Sequence, residues 1–113
     1  MELDKTFLLA VLYGILTYIG HEALHNHFGS AEILTVSVSL AVLALITMYV
    51  GKSLVYGSED LDIQLILIGA ISLGLVHQIT HGQFLNLENT SLLLALYSFV
   101  GAYVDKIAYL QNN

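Results

Sequence analysis

Two short runs hold the residues able to do chemistry: "HEALHNHF", His21 to Phe28, and "HQITHGQF", His77 to Phe84. Each contains two histidines four positions apart. On a helix that spacing puts both side chains on one face, one turn apart, so His21 with His25, and His77 with His81, can each converge on a point. Imidazole binds zinc, copper, nickel and iron, and it does so as the neutral base that a partly dry environment favours. The two runs align without a gap: His21 with His77, Glu22 with Gln78, His25 with His81 and Phe28 with Phe84, a constant offset of 56 (77 − 21). The same register pairs Glu32 with Glu88 and Thr35 with Ser91. Most other paired positions differ while all four histidines match, so the pattern points to a duplicated unit whose histidines are in use. A histidine at a helix end can also simply cap the last carbonyls or face headgroup water. That is the reading for His27, which meets Gln83 in the second copy and is expected in a loop.

"HEALH" also fits the pattern HExxH, and over these five residues it resembles the zincin metalloproteases and the membrane-embedded site-2-type proteases. The resemblance implies zinc on His21 and His25, Glu22 as general base on a metal-bound water, and a third ligand from elsewhere. His77 or His81 would supply that ligand, with Glu88 less well placed. Gln78 stands where the second copy would need the glutamate, and an amide is no base at neutral pH. The chain has little material for a substrate cleft, and no arginine or outer lysine to polarise a carbonyl. A b-type haem is a further reading, with His21 and His77, or His25 and His81, as axial ligands from two helices at equal depth. Only Phe28, Phe84, Tyr18 and Tyr97 would pack around it, and two haems one turn apart would collide. A di-iron site of the histidine-box type needs more histidines than the five present.

What must position these residues is set by composition. The 113 residues are 57% hydrophobic and 11% charged, with no Pro, Cys or Trp, and their mean hydropathy is +0.77. A small soluble domain cannot hide that much apolar surface, so the bilayer is the expected solvent. Four segments are long enough to cross it: Thr6 to His25, Glu32 to Tyr56, Leu61 to His81 and Ser91 to Leu110. Gly29, Gly57 and Gly82 are placed for left-handed C-caps, and Ser30, Ser58 and Asn89 for N-caps. Glu59, Asp60 and Asp62 gather where the third helix dipole favours negative charge. The first segment is read as a span rather than a cleavable signal, since no small-residue cleavage site follows it.

The expected fold is an all-α integral membrane protein of four transmembrane helices. Residues 1–57 and 58–113 form tandem hairpins of one membrane domain, related by a pseudo-two-fold along the membrane normal. Because each copy contributes an even number of spans, both HxxxH pairs lie at one depth on one side. If the first and third helices meet across that axis, His21, His25, His77 and His81 form a single cluster. The three lysines, Lys5, Lys52 and Lys106, all fall on the other side, and there is no arginine. The positive-inside rule then makes the termini cytoplasmic and the histidine loops extracytoplasmic.

Small-xxx-small pairs (Ser37 with Ala41, Ala70 with Gly74, Ala10 with Gly14, Ser98 with Ala102) are expected to let helices approach closely. Tyr49, Tyr56, Tyr103 and Tyr109 suit an aromatic belt at the lysine side, where Asp105 and Lys106 mark the water boundary. With no charge expected at mid-membrane, an ion pathway through this chain is disfavoured. Nothing supplies a basic patch for nucleic acid, and without cysteine there is no disulfide. The sequence thus predicts a transition-metal site, zinc or copper first and haem b second, with Glu22 as outer acceptor or base. The partners are the lipid bilayer and either further copies of the chain or a larger membrane metalloenzyme, an oxidase or monooxygenase, in which the chain is an accessory subunit.

Overall fold

Long apolar runs without proline leave the helix as the arrangement that satisfies every backbone group from within its own segment. The computed structural model describes residues 2–57, 61–81 and 86–112. They form four helices: α1 (Glu2–Phe28), α2 (Ile33–Tyr56), α3 (Ile63–Thr80) and α4 (Leu87–Asn112). All four are long and apolar enough to cross a membrane. Each of the four expected segments forms a helix with ends shifted by a few residues, and α1 runs on past His25, so His27 lies on the helix rather than in a loop.

Gly29 and Gly57 have φ of 99° and 93°, which a side chain would resist, and each ends its helix by donating its N–H back four residues. The N-caps differ from expectation. α2 starts after Glu32 without a side-chain cap, so Ser30 does not serve. Asp62 caps α3, accepting the Leu65 N–H at 3.2 Å. At α4 the side chain of Asn86 accepts the Asn89 N–H at 2.8 Å. An earlier Asx residue therefore starts the helix, and Asn89 is its third residue rather than its cap. The expectations for Ser58, Glu59, Asp60, Gly82, Gln83 and Phe84, and for the Tyr109 side chain, lie outside the described residues.

The helices stand at the corners of a square in chain order, in a bundle of 41 × 21 × 21 Å. The first and third helices are therefore diagonal rather than adjacent. The tightest packing runs between hairpins, α1 on α4 and α2 on α3. Glycine makes both approaches possible: a Cβ on Gly14 would lie 3.1 Å from the Ala95 carbonyl oxygen, and one on Gly74 2.9 Å from that of Ser37. The interior combines Leu9, Leu40, Ile66, Leu73 and Leu94 with a set of buried polar residues, among them Thr17, Ser37, Ser91 and Ser98. The outside carries isoleucine, leucine and valine along its length, as at Ile19, Val38, Ile68 and Val104.

The three lysines do share one end. There Lys52 pairs with Asp105, the Lys106 ammonium sits 4.3 Å from the centre of the Tyr56 ring, and the Tyr56 hydroxyl meets Thr6 Oγ1 at 2.5 Å.

Candidate metal centre

At the opposite end, α1 and α3 point their histidines at the bundle axis from diagonal corners. One face of α1 carries Tyr13, Thr17, His21 and His25 at intervals of four, all buried, and α3 presents His77 on its buried stripe with Gly74 and Ala70 below it. His81 follows one turn later, at the end of α3. The four rings form a single cluster: His21, His25, His77 and His81 each offer one nitrogen, and these nitrogens all lie within 4.8 Å of one another. Ring centroids are 4.6 to 5.9 Å apart for all six pairs. His21 and His77 are fully buried, His25 nearly so, and His81 half-buried. His27, which the sequence analysis set aside, is exposed and stacks edge-on against Phe28.

The hydrogen bonds around the cluster assign the free nitrogen of three of the four rings. Ser91 Oγ donates to Glu22 Oε2 at 2.5 Å, so its 2.6 Å contact with His21 Nδ1 is an N–H donated by the imidazole. Ser37 Oγ lies 2.6 Å from His77 Nδ1, and its own proton goes to a carbonyl, either Ile33 O at 2.8 Å or Gln78 Oε1 at 2.9 Å. His77 Nδ1 therefore also carries the proton. His25 Nδ1 can only donate to the Gly29 carbonyl, 3.2 Å away. Assigning the proton to Nδ1 in these three residues leaves Nε2 as the lone pair, and His25 Nε2 and His77 Nε2 face each other at 3.2 Å. His21 Nε2 and both nitrogens of His81 are buried without a hydrogen-bond partner.

Two lone pairs at 3.2 Å repel unless a cation lies between them. Tetrahedral zinc with Zn–N of about 2.0–2.1 Å sets its ligand nitrogens about 3.3–3.4 Å apart. The His25–His77 contact at 3.2 Å is close to that edge, and the wider pairs reach at most 4.8 Å. Ser37 and Ser91 bond the outer nitrogens of His77 and His21, the position at which metal-ligating histidines generally take an orienting partner.

Glu22 does not belong to the cluster. Its carboxylate reaches the far side of His21 through Ser91. Glu88, exposed in the first turn of α4, is also outside the cluster. From the sequence alone Ser37 is a packing residue, and the gapless register pairs Ser91 with Thr35. The structure gives Ser37 and Ser91 the same task, along with the cap positions Glu32 and Asn86 and the first helical residues Ile33 and Leu87, each pair 54 apart (91 − 37). The second half of the chain is thus two residues shorter between its histidines and the helix that follows (56 − 54), a shift that a gapless alignment cannot reveal. Below the cluster, Thr17 Oγ1 and Ser98 Oγ join α1 to α4 at 2.9 Å. Comparison of the chain with known protein families, with curated proteins and with solved structures yields no match.

Proposed function

We propose that this chain is an integral membrane protein that binds one transition-metal ion, zinc or copper, through His21, His25, His77 and His81. The observation that carries the reading is the convergence of four imidazoles from two helices, with one nitrogen of each within 4.8 Å of the others and His25 Nε2 and His77 Nε2 3.2 Å apart. Without a cation, the buried His21 Nε2 and the ligand nitrogen of His81 have no hydrogen-bond partner, at about 1–3 kcal/mol for each unsatisfied group. One ion removes all of these penalties.

The polarity of the bundle supports membrane insertion. Histidines and hydroxyls share the inside with apolar side chains, while aliphatic side chains cover the outside, where a soluble bundle would carry charge. Two tandem hairpins about a pseudo-two-fold along the membrane normal account for the paired arms His21–Ser91 and His77–Ser37, each joining helices of different hairpins. The lysine end is cytoplasmic and the metal end extracytoplasmic on the positive-inside rule.

Four nitrogen ligands make a closed site, which suits an ion that is held; hydrolysis needs a coordination position left for water. Glu22 hydrogen-bonds on the outer side of His21, so it supports that ligand rather than a metal-bound water. Rings in mutual contact at 4.6–5.9 Å leave no slot for a porphyrin between facing histidines, which favours a bare ion over haem b. The test is elemental analysis of the purified protein beside H25A/H81A and H27A variants. One ion per chain in the wild type and H27A, and none in H25A/H81A, is the expected result. Equal metal in all three, or none in the wild type with an unshifted unfolding temperature in the double variant, overturns the proposal.

A further inference from the structure

The two arms that orient the cluster are alike in geometry and unlike in charge. On one side His21 donates to Ser91, which donates to the Glu22 carboxylate. On the other His77 donates to Ser37, whose proton is shared between the Ile33 carbonyl and the Gln78 amide oxygen. His25 leans on a backbone carbonyl. Among the described residues, Glu22 is thus the one anion wired to a site whose four ligands are neutral. It is half-buried beside fully buried His21, where water screens its charge poorly.

Building on the metal reading, we propose that Glu22, acting through Ser91, is the specificity-determining residue of the site and selects divalent over monovalent transition-metal ions. Four imidazoles alone leave a divalent ion with two uncompensated charges at the edge of a low-dielectric interior. The Glu22 arm cancels one of them. It pulls on the His21 N–H, so that the imidazole becomes the most strongly donating of the four and shares the ion's charge. Coulomb attraction scales with the charge on the ion, so the carboxylate stabilises M²⁺ by twice as much free energy as M⁺ at the same place. In binding constants, the fold-loss for M⁺ on removing that charge is the square root of the loss for M²⁺.

E22Q is the discriminating variant because glutamine keeps the oxygen that accepts from Ser91 and removes only the charge. Affinities are measured by competition titration with Zn²⁺ and with Ag⁺, a redox-inert monovalent ion. Outer partners of ligating histidines are worth about 10–100-fold in affinity. E22Q is therefore expected to weaken Zn²⁺ by about 10–100-fold and Ag⁺ by about 3–10-fold. Q78E, which gives the Ser37 arm its own carboxylate, is expected to strengthen Zn²⁺ binding and, combined with E22Q, to recover part of the loss. Equal fold-losses for the two ions would show a distorted site rather than a missing charge, and would overturn the proposal. So would an E22Q protein indistinguishable from wild type, or a Q78E change that recovers nothing. A wild-type protein that binds neither ion overturns the metal reading itself, a result separate from every outcome in which only the variants disagree.

Discussion

Gly74→Ala tests whether helix packing and the metal site are one mechanical unit. The added Cβ would lie 2.9 Å from the Ser37 carbonyl oxygen and 3.3 Å from the Ala41 Cβ, both on α2. A comfortable carbon-to-oxygen contact is about 3.3–3.6 Å, so α2 and α3 must separate by about 0.4–0.7 Å at this level. The first clash is with backbone, which no side-chain rotation relieves. Overpacking of this kind costs about 1–3 kcal/mol, a factor of about 5–150 in the folding equilibrium. Ser37 and His77 stand on the two helices being pushed apart, and their 2.6 Å bond holds His77 Nε2 on the axis. The variant is therefore expected to lose both stability and metal affinity. Gly69→Ala on the same helix is the control, since nothing lies within 4 Å of its added Cβ. Unfolding in detergent micelles and Zn²⁺ competition, measured on both variants, give the comparison. A Gly74→Ala protein that unfolds and binds as the Gly69→Ala control does would refute the close α2–α3 approach and its coupling to the site.

Other expectations follow from the same geometry. Ser37→Ala and Ser91→Ala each remove the acceptor of a buried imidazole N–H and should weaken Zn²⁺ binding by about 10–100-fold in equilibrium titration. His77→Ala should weaken it further than either, while His27→Ala, at an exposed position, should leave the titration unchanged. Stepwise acidification, followed at each step by dialysis and elemental analysis, should release the ion, because imidazole binds metal only as the neutral base and protons compete for the same lone pair. An ion still held at about pH 2, where free imidazole is fully protonated, would count against imidazole ligation. At the lysine end, Asp105→Asn strands a nearly buried ammonium and should destabilise the bundle by about 3–5 kcal/mol in thermal or chemical unfolding. The double replacement Lys52→Met with Asp105→Leu should recover most of that loss.

Much of this arrangement was legible in the sequence, for reasons that particular residues make plain. Apolar runs without proline have one stable form in lipid, so the four helices could be placed, and the 56-residue offset of the histidines put both pairs at one end. The i, i+4 spacing makes each pair, His21 with His25 and His77 with His81, legible, but their meeting in one cluster depends on two diagonal helices pointing at the bundle axis, which spacing does not reveal. The caps were less legible, because Asn86 and Asn89 are equally good acceptors and only the path of the preceding loop decides which starts α4. The partners of the histidines were hidden for a different reason. Ser37 and Ser91 lie on α2 and α4, the helices flanking each histidine helix, and their equivalence rests on a two-residue shortening that no local motif marks. The Lys52–Asp105 pair links positions 53 apart across the bundle, a contact that neither residue announces by itself.

The most direct test of the central claim is X-ray absorption at the metal edge of the purified, zinc-loaded protein, with the ion-to-chain ratio measured on the same sample. The account predicts one ion per chain, surrounded by four nitrogens at about 2.0–2.1 Å with the multiple-scattering signature of imidazole. An ion coordinated mainly by oxygen, one histidine or none in its shell, or a ratio well below one would contradict it.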